Sequence, residues 1–246
     1  MDFYDQIAQR YDQITHTAAR AEAAGGFVRA LLERQPVRTA LDAACGNGVY
    51  SLPLAAAGAE VTAADLSEGM IEQGRRRARR ARLAIHWVHS PMQDLGRRLS
   101  ASFDAVLCMG NSIPHLLEEA DLRETLAGFV HLAQRGGAVI VQLLNYARIM
   151  ARGERIVGID RAGGRQFVRF YDFLESGLIR FNILQVHWTG GKAEHEIAST
   201  TLRPYGVKPL SAALRRAGCR RVEVFSGLDF SPWDERADTV MLVGRK

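Results

Sequence analysis

The residues best suited to chemistry stand in one short run, LDAACGNGVY, from Leu41 to Tyr50. An apolar stretch closes on Asp42, and Gly46 and Gly48 then remove Cβ atoms where backbone must approach a ligand or take positive φ. The spacing disfavours two familiar anion seats. Only G-x-G is present, with Tyr50 and Ser51 where a dinucleotide loop needs its third glycine, and the GK[ST] of a phosphate loop is missing. A pyrophosphate seated on the following helix is therefore a poor match.

About twenty positions further on, where open α/β sheets place the carboxylate that reads a ribose, VTAADLSEGM ends an apolar run on Asp65. Such a carboxylate can accept both hydroxyls of an adenosine. Leu66 and Met70 taken alone would be ordinary core, but beside Asp65 they offer apolar surface that could sandwich an adenine. In SPMQDL, Gln93 and Asp94 stand where an adenine edge could be read by hydrogen bonds. An adenosine seat without a pyrophosphate seat points to S-adenosylmethionine.

The elements that must hold these residues alternate. TALDA, EVTAAD, AIHWVH, FDAVLCM and GAVIVQLL are near-continuous apolar runs, separated by helical stretches such as SEGMIEQGRRRARRA and EADLRETLAGFVHLAQR. That is the pattern of an α/β fold with a parallel sheet covered on both faces. Residues 1–35 read as helical cover, with Phe27, Val28, Leu31 and Leu32 as an apolar stripe and Pro36 as the stop. After Leu144 the period changes. QFVRFYDFLE, LIRFNILQVHW and HEIASTTL read as two-period strands joined by SG and TGGK turns, so 145–204 is expected to be an antiparallel β insertion serving as a lid. KPLSAALRRAG then forms a helix closed by Gly218, and RRVEVFS and DTVMLVGRK form a final antiparallel pair. The whole of 1–246 reads as a single domain.

At 246 residues and 47% hydrophobic, the chain can bury one sizeable core. No apolar run reaches the ~20 residues of a membrane span, and the charged N-terminus lacks signal-peptide character, so a soluble, cytoplasmic protein is expected. Cys45, Cys108 and Cys219 are widely spaced and without a CxxC pair, which argues against disulfides and against a metal site. The net charge of +5 is almost all arginine, densest in GRRRARRAR, Gly74 to Arg82. Without interleaved aromatics this run fits a solvated helix C-terminus better than a nucleic-acid patch. A homo-oligomer is compatible with all of these features.

The succession LDAACGNG, ADLSEGM, MQDL and FDAVLCMGNSIPHL resembles class I S-adenosylmethionine-dependent methyltransferases, whose seven-stranded sheet ends in an antiparallel pair. CMGNSIPHL, NYARIMARG, LRPYGVKPLSAAL and the closing VFSGLDFSPW segment are similar to the glycine N-methyltransferase group. The resemblance implies a cofactor set of Tyr11, Arg20, Ala44, Gly46, Asn47, Gly48, Asp65, Leu66, Met70, Met92, Gln93, Asp94, Met109 and His115. In that set Tyr11 would cover the sulfonium and Arg20 would bind the methionine carboxylate. The Met109 carbonyl would hold the ammonium, and His115 would close over the cofactor. Asn111, Leu144 and Tyr205 would face the acceptor, with Tyr11, Asn111 and His115 as positioning residues.

One position departs from the group. Where it carries an arginine that grips a substrate carboxylate, this chain has Leu144, so glycine is not the expected acceptor unless Arg148, Arg169 or Arg203 substitutes. The expected reaction is in-line methyl transfer from S-adenosylmethionine, leaving S-adenosylhomocysteine, to a small-molecule amine or hydroxyl. His187 and His195 are the insertion's candidates for a base. An RNA or protein methyltransferase and a non-catalytic S-adenosylmethionine binder are the rival readings. The first is weakened because GNSIPH stands where base-amine methylases carry an NPPY-type tetrapeptide. A nicotinamide-dependent reductase is disfavoured by the missing third glycine and by the lack of a YxxxK pair.

Overall fold

The computed structural model describes residues 3–7, 17–189 and 192–246. Tyr11 lies outside the described residues. In chain order the strands are β1 (Thr39–Ala43), β2 (Glu60–Asp65), β3 (Ile85–His89), β4 (Phe103–Cys108) and β5 (Ala133–Leu144). They continue with β6 (Ile156–Ala162), β7 (Arg165–Phe173), β8 (Ile179–Thr189), β9 (Lys192–Leu202), β10 (Arg221–Phe225) and β11 (Thr239–Arg245). The helices are α1 (Phe3–Ile7), α2 (Thr17–Arg34), α3 (Ser51–Ala56), α4 (Glu68–Ala81), α5 (Leu95–Arg98), α6 (Glu119–Leu132), α7 (Tyr146–Arg152) and α8 (Val207–Arg216).

Seven strands form the main sheet in the order β10-β11-β5-β4-β1-β2-β3. β1 to β5 run parallel, and β11 is antiparallel to both β5 and β10. Burial explains the parallel part: Leu41, Ala63, Val106, Leu107, Val139 and Ile140 are fully enclosed, so both faces must be covered. One face packs on Leu122, Leu126 and Phe129 of α6 and Leu210 and Leu214 of α8. The other packs on Phe27, Val28 and Leu31 of α2 and Leu54 of α3. The chain order reverses between β1 and β4, and the crevice beyond their C-terminal ends is where open sheets bind ligands.

The arginine-rich α4 ends as its charges require. Ser67 caps its start by accepting from the Met70 amide at 3.2 Å, and Arg79 and Arg80 lie in its last turn. Glu68 pairs with Arg75 at 2.7 Å, and Glu72 meets Arg76 at 3.1 Å and Arg79 at 3.2 Å, so part of the basic run is neutralised on its own helix.

The segment after β5 differs from the sequence reading in two ways. It opens with α7, which Asn145 caps by accepting from the Arg148 amide at 3.3 Å. Its sheet then has four strands, β6-β7-β8-β9, all antiparallel, where the alternation pattern suggested three. The pattern of β6 was hidden by Gly158 and by charges at Asp160 and Arg161, although Gly163 and Gly164 mark the turn that joins it to β7. The short α1 packs against this second sheet through Phe3 and Ile7, which meet Phe167 and Ile183. None of the described helices is long and apolar enough to cross a membrane.

Candidate active site

The turn from β1 into α3 is tied to the tip of β2. The Cys45 amide donates to the Ala64 carbonyl at 2.8 Å, and the Gly46 amide donates to Asp65 Oδ2 at 2.7 Å. Asp65 Oδ1 accepts from the Ser67 amide at 2.9 Å. The carboxylate is thus held in place by two backbone donors at the tip of β2. Gly46 has φ +54°, and open space lies where its Cβ would stand, so the loop backbone is bare toward the crevice.

A cavity of about 180 Å³ occupies that crevice. Ala44, Gly46, Asn47, Asp65, Leu66, Met70, Met92, Gln93, Met109, His115 and Arg20 all line it. These eleven sequence-predicted residues, drawn from five separate stretches of chain, meet at one place. Leu66, 53% exposed, lies at the rim and offers apolar surface to a ligand. The lining also includes Tyr4, Tyr50, Ser90 and Gly110, which sequence reasoning missed. Tyr50 follows the glycine pair directly, and its position there was the one available signal.

Three sequence-predicted residues do not reach either cavity. Gly48 has φ +82°, and a Cβ there would approach Trp87 Cη2 to 3.0 Å, so its glycine serves turn geometry and packing. Asp94 ends a tight 3-10 turn, Met92–Asp94, whose three-fold rotation sends it outward to pair with Arg97 at 2.6 Å. Tyr205 is buried with its hydroxyl donating to the Leu116 carbonyl at 2.6 Å, which holds the chain just after His115.

A second cavity of about 410 Å³ adjoins the first and shares Tyr4, Arg20, Tyr50, Gly110 and His115 with it. The second sheet supplies Val157, Arg169, Tyr171, Phe181, Ile183 and Leu202, and α1 supplies Phe3 and Ile7. The turn after β4 supplies Asn111, and β5 supplies Gln142 and the half-buried Leu144. Gly110 and Asn111 are consecutive left-handed residues, each at φ +69°, that turn the chain sharply after β4. The turn is fixed by Gln142, which accepts from the Gly110 amide at 2.8 Å through Oε1 and from the Asn111 amide at 3.2 Å through its carbonyl. Asn111 then accepts from the Leu144 amide at 3.1 Å and donates to the Tyr146 hydroxyl at 2.8 Å.

Electrostatics separate the two cavities. Burial pushes Asp42, beneath the glycine loop, up to about 7, despite the Ser51 hydroxyl that donates to it at 2.6 Å. The Asp65 carboxylate lines the first cavity, and its charge suits a cationic ligand. Burial also raises the Cys45 thiol and keeps it inert. In the shared wall, burial lowers His115 to about 4, so the imidazole is neutral, and its Nε2 lies 2.9 Å from the Tyr4 hydroxyl. Neither base candidate of the insertion touches a cavity: His187 pairs with Glu194 at 2.9 Å, and His195 is exposed. Arg169 pairs with Asp160 at 2.8 Å while its Nε is buried without a partner, an arrangement that costs about 1–3 kcal/mol if nothing else satisfies it.

The chain's residues 40–137, which build the first cavity's loops, match the methyltransferase domain family model. A glycine/sarcosine N-methyltransferase of Parasynechococcus marenigrum is 30% identical over 201 residues, spanning 76% of this chain and 71% of that protein. The chain belongs to the class I S-adenosylmethionine-dependent methyltransferase family. A dTDP-3-amino-3,6-dideoxy-alpha-D-glucopyranose N,N-dimethyltransferase of Streptomyces fradiae is 33% identical over 175 residues, covering 68% of this methyltransferase and 65% of that one. The CcbJ methyltransferase structure from Streptomyces caelestis shares the fold with a TM-score of 0.82 at 20% identity, over 99% of this chain and 97% of that one. S-adenosylmethionine is the cofactor, and the site fits it: the bare Gly46 backbone and the Asp65 carboxylate, pinned by backbone donors, suit a sulfonium nucleoside.

Proposed function

We propose that this enzyme methylates the nitrogen of a small-molecule amine larger than glycine, with cofactor and acceptor in the two adjoining cavities. The observation that carries the reading is the wall the cavities share, built from Tyr4, Tyr50, Gly110 and His115. A nucleophile in the larger cavity has direct access to the smaller one only there. The curated relatives support nitrogen as the acceptor atom, since their names describe transfer to glycine, sarcosine and an amino sugar nucleotide.

The bound cofactor supplies an electrophilic methyl group on a sulfonium. Asp65 is assigned to the ribose hydroxyls, Leu66, Met70, Met92 and Gln93 to the adenine, and Arg20 and the Met109 carbonyl to the amino-acid end. Ala44, Gly46 and Asn47 present backbone to the same ligand. Tyr11 keeps its assignment over the sulfonium from the resemblance. On the acceptor side, Asn111 and Leu144 form the wall nearest the β5 end.

The amine must react as its free base. Among the described residues lining the larger cavity there is no carboxylate to stabilise an ammonium, and Arg20 and Arg169 oppose one. Neutral His115, hydrogen-bonded to Tyr4, adds no further charge and can accept a hydrogen bond from the nitrogen. The 145–204 segment acts as the lid: its sheet closes the acceptor cavity with Phe181, Ile183 and Leu202 and keeps water from the methyl group. Of the described N-terminal residues, Phe3, Tyr4 and Ile7 of α1 and Arg20 of α2 add to the cover. A cavity of this volume lies in the range that holds drug-sized ligands, about 300–1,000 Å³, and glycine would leave most of it empty.

Incubating the protein with methyl-labelled S-adenosylmethionine and separated small-molecule, RNA and protein fractions tests the reading. Label is expected in the small-molecule fraction. Label confined to RNA or protein would refute it.

A further inference from the structure

Arg148, Arg169 and Arg203 flank the acceptor region in sequence, and the fold treats them differently. Arg148 pairs with Asp238 and with Glu154, and Arg203 donates through Nε to the Leu117 carbonyl. Arg169 alone of the three lines the acceptor cavity. It shares one face of β7 with Phe167 and Tyr171, both buried, and is in register with Ile183 on β8. Asp160 takes its Nη2, and its Nε is buried without a partner. A guanidinium has five N–H donors in a rigid fork, so one carboxylate on Nη2 orients the head and leaves donors unassigned.

Gly158 gives an independent reason to see a built site. It lies inside β6, in register with Arg169, and has no left-handed backbone that would require glycine. A Cβ there would stand 2.6 Å from Arg169 Nη2 and 3.3 Å from its Cζ. A glycine inside a strand marks a bulge or a close approach, and both are found here: the β6–β7 pairing shifts register between Ile156 and Gly158, and the missing Cβ leaves room for the Arg169 head. Among the described residues that line the cavity, the cations are Arg20 and Arg169, and no carboxylate is part of the lining. Arg20 also lines the cofactor cavity, whereas Arg169 does not.

We propose that Arg169, seated on Gly158 and oriented by Asp160, anchors an oxyanion carried by the acceptor. The substrate is then an amine with a bulky apolar body and a carboxylate or phosphate group. The inference rests on the acceptor-cavity reading above. The apolar body faces Phe181, Ile183 and Leu202, and the oxyanion meets the part of the guanidinium that lines the cavity, with Asp160 holding Nη2.

The test is calorimetric titration of the protein saturated with S-adenosylhomocysteine, which occupies the cofactor cavity. Three probes share one apolar body: 3-phenylpropionate, 3-phenylpropyl phosphate and 3-phenylpropanol. At least one anionic probe is expected to bind about tenfold or more tightly than the alcohol, and the tighter of the two identifies the group. Arg169→Met is expected to erase that preference while retaining S-adenosylhomocysteine affinity, which also reports that the variant is folded. Gly158→Ala keeps the charge but crowds the head, and is expected to diminish the same preference. Equal affinities in the wild type, or a preference that survives Arg169→Met, would overturn the anchor and leave the cavity standing. Binding of none of the three would overturn the acceptor cavity as well.

Discussion

The Arg20 guanidinium lies against Gly110: a Cβ on that residue would come within 3.3 Å of Arg20 Nη2. The first long helix and the turn after β4 therefore meet at the junction of the two cavities. If this head binds the amino-acid carboxylate of the cofactor, Arg20→Ala should weaken S-adenosylhomocysteine by about tenfold or more, the usual loss for a charge-assisted pair. Adenosine, which has no amino-acid end, should bind both proteins equally. Calorimetry with the two ligands separates this role from a general loss of structure.

Trp87 sits beneath the glycine loop and against α4. A Cβ at Gly74 would lie 2.3 Å from its Cη2, too close for the rigid ring to yield cheaply. Gly74→Ala should destabilise the protein by about 1–3 kcal/mol, the usual cost of overpacking a core. The expected loss reads out as a lower thermal midpoint with altered tryptophan fluorescence. An unchanged midpoint would show that the indole is free to move.

Two buried groups give opposite pH slopes. His115 titrates near 4 in the fold against 6.5 outside it, so its contribution is present above 6.5 and is lost as pH falls toward 4. Asp42 is raised from 3.8 to about 7, so the folded state binds the extra proton between those values and its contribution is lost as pH rises through them. Asp42→Asn removes the second slope. The stability of Asp42→Asn relative to wild type should therefore increase from pH 4 to pH 8, by an amount on the order of a few kcal/mol. Denaturant melts at the two pH values check it; a pH-independent difference would mean Asp42 does not titrate in that window.

Leu144 faces the acceptor cavity beside Asn111 and offers no cation there. Glycine, which would leave most of that cavity empty, should be methylated at a negligible rate, measured as S-adenosylhomocysteine formed above a no-acceptor control. Turnover of glycine comparable to that of the acceptor found in the small-molecule fraction would contradict the size argument.

Much of this molecule was legible before it folded, for physical reasons. Leu41, Val106 and Ile140 sit in runs apolar on both faces, which admit little but a doubly covered parallel sheet. Asp65 and Gly46 were legible because backbone proximity at strand tips follows from topology. The outward turn of Asp94 was not, since a one-residue rotation in a 3-10 turn decides it and the residue types do not. β6 escaped because Gly158 breaks its alternation for the sake of Arg169, a partner eleven positions away and visible only once the hairpin forms. Tyr4 escaped for a similar reason, because its meeting with His115 spans 111 residues.

The measurement that bears most directly on the two-cavity account is methyl transfer by Val157→Trp. Val157 lies on the exposed edge strand β6 and lines the acceptor cavity alone, so the indole should fill that space without touching the cofactor site. Transfer of label to the small-molecule product should fall by about tenfold or more as acceptor binding is lost, while calorimetric affinity for S-adenosylhomocysteine stays at the wild-type value. Undiminished transfer with unchanged cofactor affinity would place the acceptor elsewhere and contradict the account.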